Sequence, residues 1–379
     1  MFIPRILSNT ILKKLHNDNK ALIIYGPRQT GKTTMIEKIL KNLDLKILTV
    51  NGDQEKYIDI LSSTDLNKLS SFVSGNNILF IDEAQKIPNI GLNVKILIDN
   101  IKNLKIILTG SSSFDLSNKI SEPLTGRSWI YNLFPISFLE LSAIYNHFEL
   151  NEILEERLIY GSYPEIFSIK NNNDKKEFLE NISNAYLYKD IFELANIKNH
   201  SKIKDLLKLL AFQIGSEVST NELSSSLGIA KDTVENYIDL LEKAFVIFRI
   251  NAFSRQLRKE IKKMDKIYFY DLGIRNIVID NLKDLKNRDD GGRLFENFLI
   301  LERKKLLHYT KTYATQYFWR TYTGAELDYI EERDGLLHTF EFKFNYKKSK
   351  IPQNFIDSYP NSSFETINKD NYLKFILSA

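Results

Sequence analysis

Ala21-Leu22-Ile23-Ile24-Tyr25-Gly26-Pro27-Arg28-Gln29-Thr30-Gly31-Lys32-Thr33-Thr34 carries five apolar residues into a loop bounded by two glycines and closed by Lys-Thr-Thr. Helical character follows over 35–40, so the stretch reads as strand, loop, helix, the context in which GxxxxGKT has a mechanism. Small residues let the loop curl until its N–H groups and the helix N-terminus face one point, which makes a receptacle for phosphate. Lys32 is placed to contact the β- and γ-phosphates of a nucleoside triphosphate, and the Thr33 hydroxyl to ligate Mg²⁺. Gly26, Pro27, Arg28, Gln29, Thr30 and Gly31 form the rest of the cradle. A chance glycine-rich turn would account for the loop but not for both flanks. Thr34 is counted with the cradle, although it suits capping or packing of the helix equally well.

A second phosphate-site element lies at Asn77-Ile-Leu-Phe-Ile-Asp82-Glu83-Ala-Gln85, an apolar strand that ends in two carboxylates. Asp82 is expected to hold Mg²⁺, usually through a water, and Glu83 to act as general base on the attacking water. A solvated strand end is the plainer explanation, and the phosphate loop weighs against it. Lys105-Ile-Ile-Leu-Thr109-Gly-Ser111-Ser112-Ser113 is another apolar strand, ending in hydroxyls. In a parallel sheet that end faces the ligand, so Thr109 or Ser111 is a candidate sensor of the γ-phosphate. Arg127 precedes the next strand and is a candidate for stabilising phosphoryl charge in its own or a neighbouring subunit; a structural ion pair is the equal alternative. ATP and Mg²⁺ are the expected cofactors.

Outward from the loop, apolar runs over 21–25, 45–50, 78–82, 105–109 and 129–133 alternate with amphipathic stretches. Apolar throughout, they read as strands covered on both faces, hence a doubly wound parallel α/β core of the P-loop NTPase type over 1–143. Helical periodicity takes over in 144–200, which reads as a helical lid with segments over 151–160 and 174–194. In 201–252, Ser219-Thr-Asn-Glu-Leu and the run from Leu227 through Gly228 to Leu241 have the layout of a helix-turn-helix. Strands return in 253–379, with Asp334-Gly335 as a tight turn and a helix near 292–306, a small mixed α/β domain.

The chain has 379 residues, more than one core usually serves. Lys and Arg number 52 against 48 Asp and Glu, a net charge of +4, so any attraction to polyanions must be local. Without cysteine there are no disulfides, thiolate metal sites or thiol nucleophiles. Histidines 16, 147, 200, 308 and 338 show no zinc-ligand spacing. The opening MFIPRILSNT does not resemble a secretory signal and the apolar runs fall short of a membrane span, so a cytoplasmic protein without membrane partners is expected.

Taken together, Tyr25-Gly-Pro-Arg-Gln-Thr-Gly-Lys-Thr, Phe80-Ile-Asp-Glu-Ala-Gln-Lys-Ile-Pro, Leu108-Thr-Gly-Ser-Ser, Leu124-Thr-Gly-Arg and Phe134-Pro-Ile-Ser-Phe resemble bacterial and archaeal AAA-type ATPases with a C-terminal domain of unknown function. Gly161-Ser-Tyr-Pro-Glu, Tyr188-Lys-Asp-Ile and Lys266-Ile-Tyr-Phe-Tyr-Asp-Leu-Gly extend the resemblance over nearly the whole chain. It implies an ATP-binding core, a lid, a winged helix-turn-helix and a nuclease-like terminal fold, and supplies no substrate.

Glu326-Leu-Asp328 and Glu341-Phe-Lys343, on two strands joined by a turn and preceded by Glu296 on a helix, are similar to a PD-(D/E)xK nuclease core. In such a site Asp328, Glu341 and Glu296 would hold a second metal and Lys343 would orient water. A surface ion pair on one strand is the commoner meaning of a carboxylate and a lysine two apart. The helix over 230–243 sets Lys231 and Lys243 against Asp232, Glu235, Asp239 and Glu242, a poor charge for lying on DNA and better suited to packing or a protein partner. Basic Arg255-Gln-Leu-Arg-Lys-Glu-Ile-Lys-Lys is the remaining candidate for a nucleic-acid backbone. Three functions are therefore expected in order: an ATPase that drives or switches its C-terminal domains, an ATP-regulated nuclease, and an adaptor ordered by ATP without turnover. An unknown protein or nucleic-acid partner and oligomerisation fit each.

Overall fold

A computed structural model of the chain describes residues 3–111, 123–184, 200–254, 265–321, 323–345 and 349–378. Ser112, Ser113, the Tyr188 motif, the end of the second lid segment and the basic run from Arg255 lie outside them. The chain divides into two compact units, an N-terminal one of residues 2–135 with 243–245 and a C-terminal one of 136–242 and 246–379.

In the N-terminal unit, strands β1 (Ala21–Tyr25), β2 (Ile47–Asn51), β3 (Ile78–Asp82), β4 (Lys105–Gly110) and β5 (Ser128–Asn132) form one parallel sheet in the order β2-β3-β4-β1-β5. Helices α1 (Ile6–Asn17), α2 (Lys32–Lys41), α3 (Glu55–Leu61), α4 (Leu66–Val73) and α5 (Ile90–Asn100) connect and flank them. Leu7, Ile11 and Leu15 recur every fourth residue along α1 and join Met35, Ile36, Ile39 and Leu40 of α2 over Leu22, Ile24, Phe80 and Ile107 of the sheet. Every residue of β1 is buried, as expected of a strand covered on both faces. The edge strands differ: β2 and β5 are only half-buried, and Leu45, expected to open β2, is exposed outside it.

The C-terminal unit contains α6 (Phe138–Leu141), α7 (His147–Tyr160), α8 (Asn172–Ile182), α9 (His200–Phe212), α10 (Thr220–Leu227), α11 (Lys231–Lys243), α12 (Leu272–Val278), α13 (Gly291–Thr310), α14 (Gln353–Ser358) and α15 (Tyr372–Leu377). Its strands are β6 (Glu217–Val218), β7 (Ile247–Ala252), β8 (Asp265–Phe269), β9 (Thr315–Arg320), β10 (Glu326–Arg333), β11 (Leu336–Phe342) and β12 (Ser363–Ile367). They form one mixed sheet in the order β12-β11-β10-β9-β7-β8-β6. Strand β7, from the segment read as helix-turn-helix, pairs in parallel with β9 of the terminal segment, so the two share a sheet. Between α10 and α11, Gly228 takes the left-handed conformation that ends a helix.

The helices read as a lid belong to this unit too. The amide of Ser162 donates to Asp271 Oδ2 at 2.7 Å, and Asn276 Nδ2 donates to the carbonyls of Leu158 and Ile159 at the end of α7. Asp271 also caps α12 by accepting from Ile274 N–H. A Cβ at Gly161, whose φ is +72°, would lie 2.0 Å from Asp271 Oδ1, so only glycine fits there. The Gly161-Ser-Tyr-Pro-Glu and Tyr270-Asp-Leu-Gly motifs are thus two halves of one clasp.

Candidate nucleotide site

The loop after β1 owes its shape to two left-handed residues, Gln29 at φ +57° and Gly31 at φ +88°, the latter serving as N-cap of α2. At its start, a Cβ on Gly26 would sit 2.1 Å from the Leu133 carbonyl oxygen, so the loop can leave the sheet only through glycine. Lys32 is buried, and its Nζ donates to the carbonyls of Gly26 and Pro27, each at 2.8 Å, across the mouth of the loop. Thr30 is fully buried and donates to the Pro27 carbonyl, so its hydroxyl braces the loop. Thr33, Thr34 and Lys32 occupy the first turn of α2, whose amides have no partner within the helix. Gln29 and Thr34 are exposed, Arg28 is half-buried, and Pro27 is buried.

Strand order decides what meets the loop. Because β4 lies between β1 and β3, Asp82 at the end of β3 is reached over Thr109 at the end of β4. Asp82 Oδ2 accepts from the Thr33 hydroxyl at 2.9 Å, and its Oδ1 accepts a short hydrogen bond from the Thr109 hydroxyl. Thr109 is fully buried, and its hydroxyl is spent on Asp82. Two residues on, Ser111 accepts from Gln85 Nε2 at 3.1 Å, and the same amide donates to Glu83 Oε2. Glu83 itself is left-handed, with φ +51° and ψ +43°, a costly conformation for a side chain longer than Asn. Gly52 makes room for it: a Cβ there would be 2.4 Å from the Glu83 carbonyl oxygen.

A hydroxyl and a carboxylate oxygen 2.9 Å apart form a hard-oxygen donor pair suited to Mg²⁺, which keeps most of its own waters. Thr33 and Asp82 are the residues that would hold it. Arg127 requires a correction. It precedes β5, and its carbonyl accepts from Ala21 N–H, at the opposite end of β1 from the loop. Four strand steps separate the two ends, roughly 13 Å. Its guanidinium is paired with Asp99 at 2.8 Å on the surface, so it does not serve the site of its own chain.

Arg5 and Gln85 carry roles that sequence reasoning missed. Arg5 is buried, and its two terminal nitrogens donate to the carbonyls of Thr30 and Phe134, both at 2.6 Å, fixing the loop against the end of the sheet. Its one signal was its place among Ile3, Ile6 and Leu7 at the start of the first helix.

The second candidate metal site is brought together but not as a cage. Glu296 lies on α13, Asp328 on β10, Glu341 on β11 and Lys343 just beyond it. Lys343 Nζ is 2.6 Å from Glu341 Oε1, and Asp328 Oδ2 accepts from Phe342 N–H at 2.8 Å. Burial first, then Glu296 and Glu341, push the Asp328 carboxyl up to about 8. Among the described residues no group of three or more His, Asp and Glu side chains is arranged to hold a metal ion.

A parallel sheet with this loop, a lysine across its mouth and an acidic pair at the end of the strand one beyond its neighbour is the arrangement of a P-loop ATPase of the AAA type. Residues 18–142 match the model of the AAA domain, 151–285 a domain of unknown function (DUF8612), and 291–372 another (DUF4143). The chain belongs to the AAA-type P-loop ATPases with a C-terminal domain of unknown function. It is 30% identical to the uncharacterized protein MJ1544 of Methanocaldococcus jannaschii, over 76% of this chain and 67% of that one. It is 27% identical to the uncharacterized protein Rv2008c of Mycobacterium tuberculosis, over 90% and 74%. The Walker-type ATPase PABY2304 of Pyrococcus abyssi is similar at 16% identity and a TM-score of 0.48, over 73% of this chain and 96% of that structure. Among the described residues no helix is long and apolar enough to cross a membrane.

Proposed function

We propose that this chain hydrolyses Mg²⁺-ATP at the loop 26–33 and uses the cycle to drive or switch the conformation of its C-terminal unit. The observation that carries the reading is the contact of Thr33 with Asp82, which brings the loop hydroxyl and the strand carboxylate to one point. When bound, Mg²⁺ supplies charge neutralisation on the phosphate oxygens. Lys32 exchanges its two backbone carbonyls for phosphate oxygens, and the amides that open α2 orient the same group. Glu83 takes a proton from the attacking water once its carboxylate leaves Gln85, and Ser111, joined to that amide, links the end of β4 to the base.

The partner is proposed to be a protein. Arg249 on β7 binds Glu235, Asp239 and Glu242 along one side of α11, so that face is a closed set of ion pairs with no surplus positive charge for a phosphate backbone.

Lys32→Ala should abolish nucleotide binding measured by calorimetry. Glu83→Gln should bind Mg²⁺-ATP as tightly as the wild type while turnover falls on the order of a hundredfold. Unchanged turnover in both variants refutes the assignment.

A further inference from the structure

We infer that the ammonium of Lys266 occupies the place a divalent cation would take among Glu296, Glu326 and Asp328, so that the C-terminal unit works without a bound metal. A metal is what likeness to a nuclease core leads one to expect, and the residues present do not fit it. Lys266 lies on β8 and is 2% exposed. Its Nζ is 2.9 Å from Glu326 Oε1 on β10 and 3.5 Å from Glu296 Oε1 on α13. Burial works against this ammonium, but Glu296, Glu326 and Asp328 together outweigh it and hold its pKa above that of an ordinary lysine.

The other carboxylates in the cluster are committed as well. Glu296 Oε1 accepts from the Tyr268 hydroxyl at 2.6 Å, Asp328 Oδ2 from the Phe342 amide, and Glu341 Oε1 from Lys343. Arg320 stands 3.7 Å from the second oxygen of Glu326. Divalent hard cations need several oxygens with free lone pairs turned to one centre. Here the donors come from the chain itself. The lysine also fastens β8, α13 and β10 to one another, a structural task that a loosely held cation would perform only while bound. This inference is independent of the nucleotide reading.

The test is Mn²⁺ uptake by the full-length, nucleotide-free chain, followed by the loss of the free-ion electron paramagnetic resonance signal. The wild type should take up no Mn²⁺ that Asp328→Asn abolishes. Lys266→Met, or Lys266→Gln if the first variant does not fold, should take up a stoichiometric amount that is lost again when Asp328→Asn is added. Uptake by the wild type that disappears in Asp328→Asn overturns the inference. So does the absence of uptake in a folded Lys266 variant, since the lysine would then not be what keeps a cation out.

Discussion

Replacing Arg5 by Ala removes a side chain that ties the phosphate loop to the segment just after β5. The guanidinium makes two charge-assisted hydrogen bonds of 2.6 Å to carbonyls that are 25 and 129 residues away in sequence. Bonds of this kind contribute roughly 1.5–3 kcal/mol each, and the truncation would leave both carbonyls buried without that donor. Water entering the space recovers part of this, so a loss of about 3 kcal/mol in unfolding free energy is expected. Function should suffer beyond stability. Thr30 precedes the left-handed Gly31 that starts α2, and a loop no longer held there spends binding energy on ordering itself. If that amounts to about 1.4 kcal/mol, affinity for Mg²⁺-ATP drops about tenfold. Arg5→Lys, with a single ammonium able to reach one carbonyl well, should fall between the two. Urea denaturation gives the first quantity and calorimetric titration with Mg²⁺-ATP, at a temperature where every variant is folded, gives the second. A variant with lowered stability and unaltered affinity would make Arg5 a brace of the fold alone. If neither changes, the role assigned to it is wrong.

Arg127→Ala should leave ATP turnover of the isolated chain within about twofold of wild type, because its partner Asp99 is an exposed residue at the other end of the strands and such pairs contribute little; a large loss of turnover at fixed nucleotide affinity refutes that placement. Asp271 titrates oppositely to a paired surface acid: burial raises its pKa from 3.8 to about 6, with the amides of Ser162, Ile274 and Gly273 offsetting only part. The folded state therefore binds more protons than the unfolded one between those values, and the stabilisation present below pH 4 is lost as pH rises through 6, with a ceiling of about 3 kcal/mol. Urea midpoints from pH 4.5 to 7 should fall more steeply in the wild type than in Asp271→Asn, and parallel slopes would dispose of the argument.

The phosphate loop and the acidic strand end were legible because each is contiguous in the chain and carries its structural context beside it. What surrounds them was not. Thr109 meets Asp82 only because β4 is inserted between β1 and β3, and no local pattern announces a strand order. Arg5 and Gln85 act through partners that folding supplies. Arg127 had two equal readings, and the ion pair with Asp99 is the one found: a residue just before a parallel strand lies at the opposite end of the sheet from residues just after one. The lid helices looked autonomous because their anchor, Asp271, is 109 residues from the amide of Ser162 that it accepts. The segment 201–252 looked separable because its β7 bonds to β9 beyond an interval with its own helices.

Two clusters of charge in this chain meet the cost of burial in opposite ways, and the difference bears on which of them does chemistry. At the loop, Lys32 rests on two neutral carbonyls and Asp82 on two hydroxyls, partners that a charged phosphate and a cation can displace with a net gain in Coulomb energy. Around the buried Lys266 the partners are already carboxylates, the half-buried Glu326 at 2.9 Å and Glu296 at 3.5 Å. Any incoming ion there must break pairs whose separation leaves buried charge uncompensated, an expense of several kcal/mol. A site held by weak, replaceable contacts is ready for a ligand, whereas one held by strong, complementary contacts has already bound its own. By that reasoning the loop of the N-terminal unit is the place prepared for a ligand, and the acidic cluster of the C-terminal unit is part of that unit's framework.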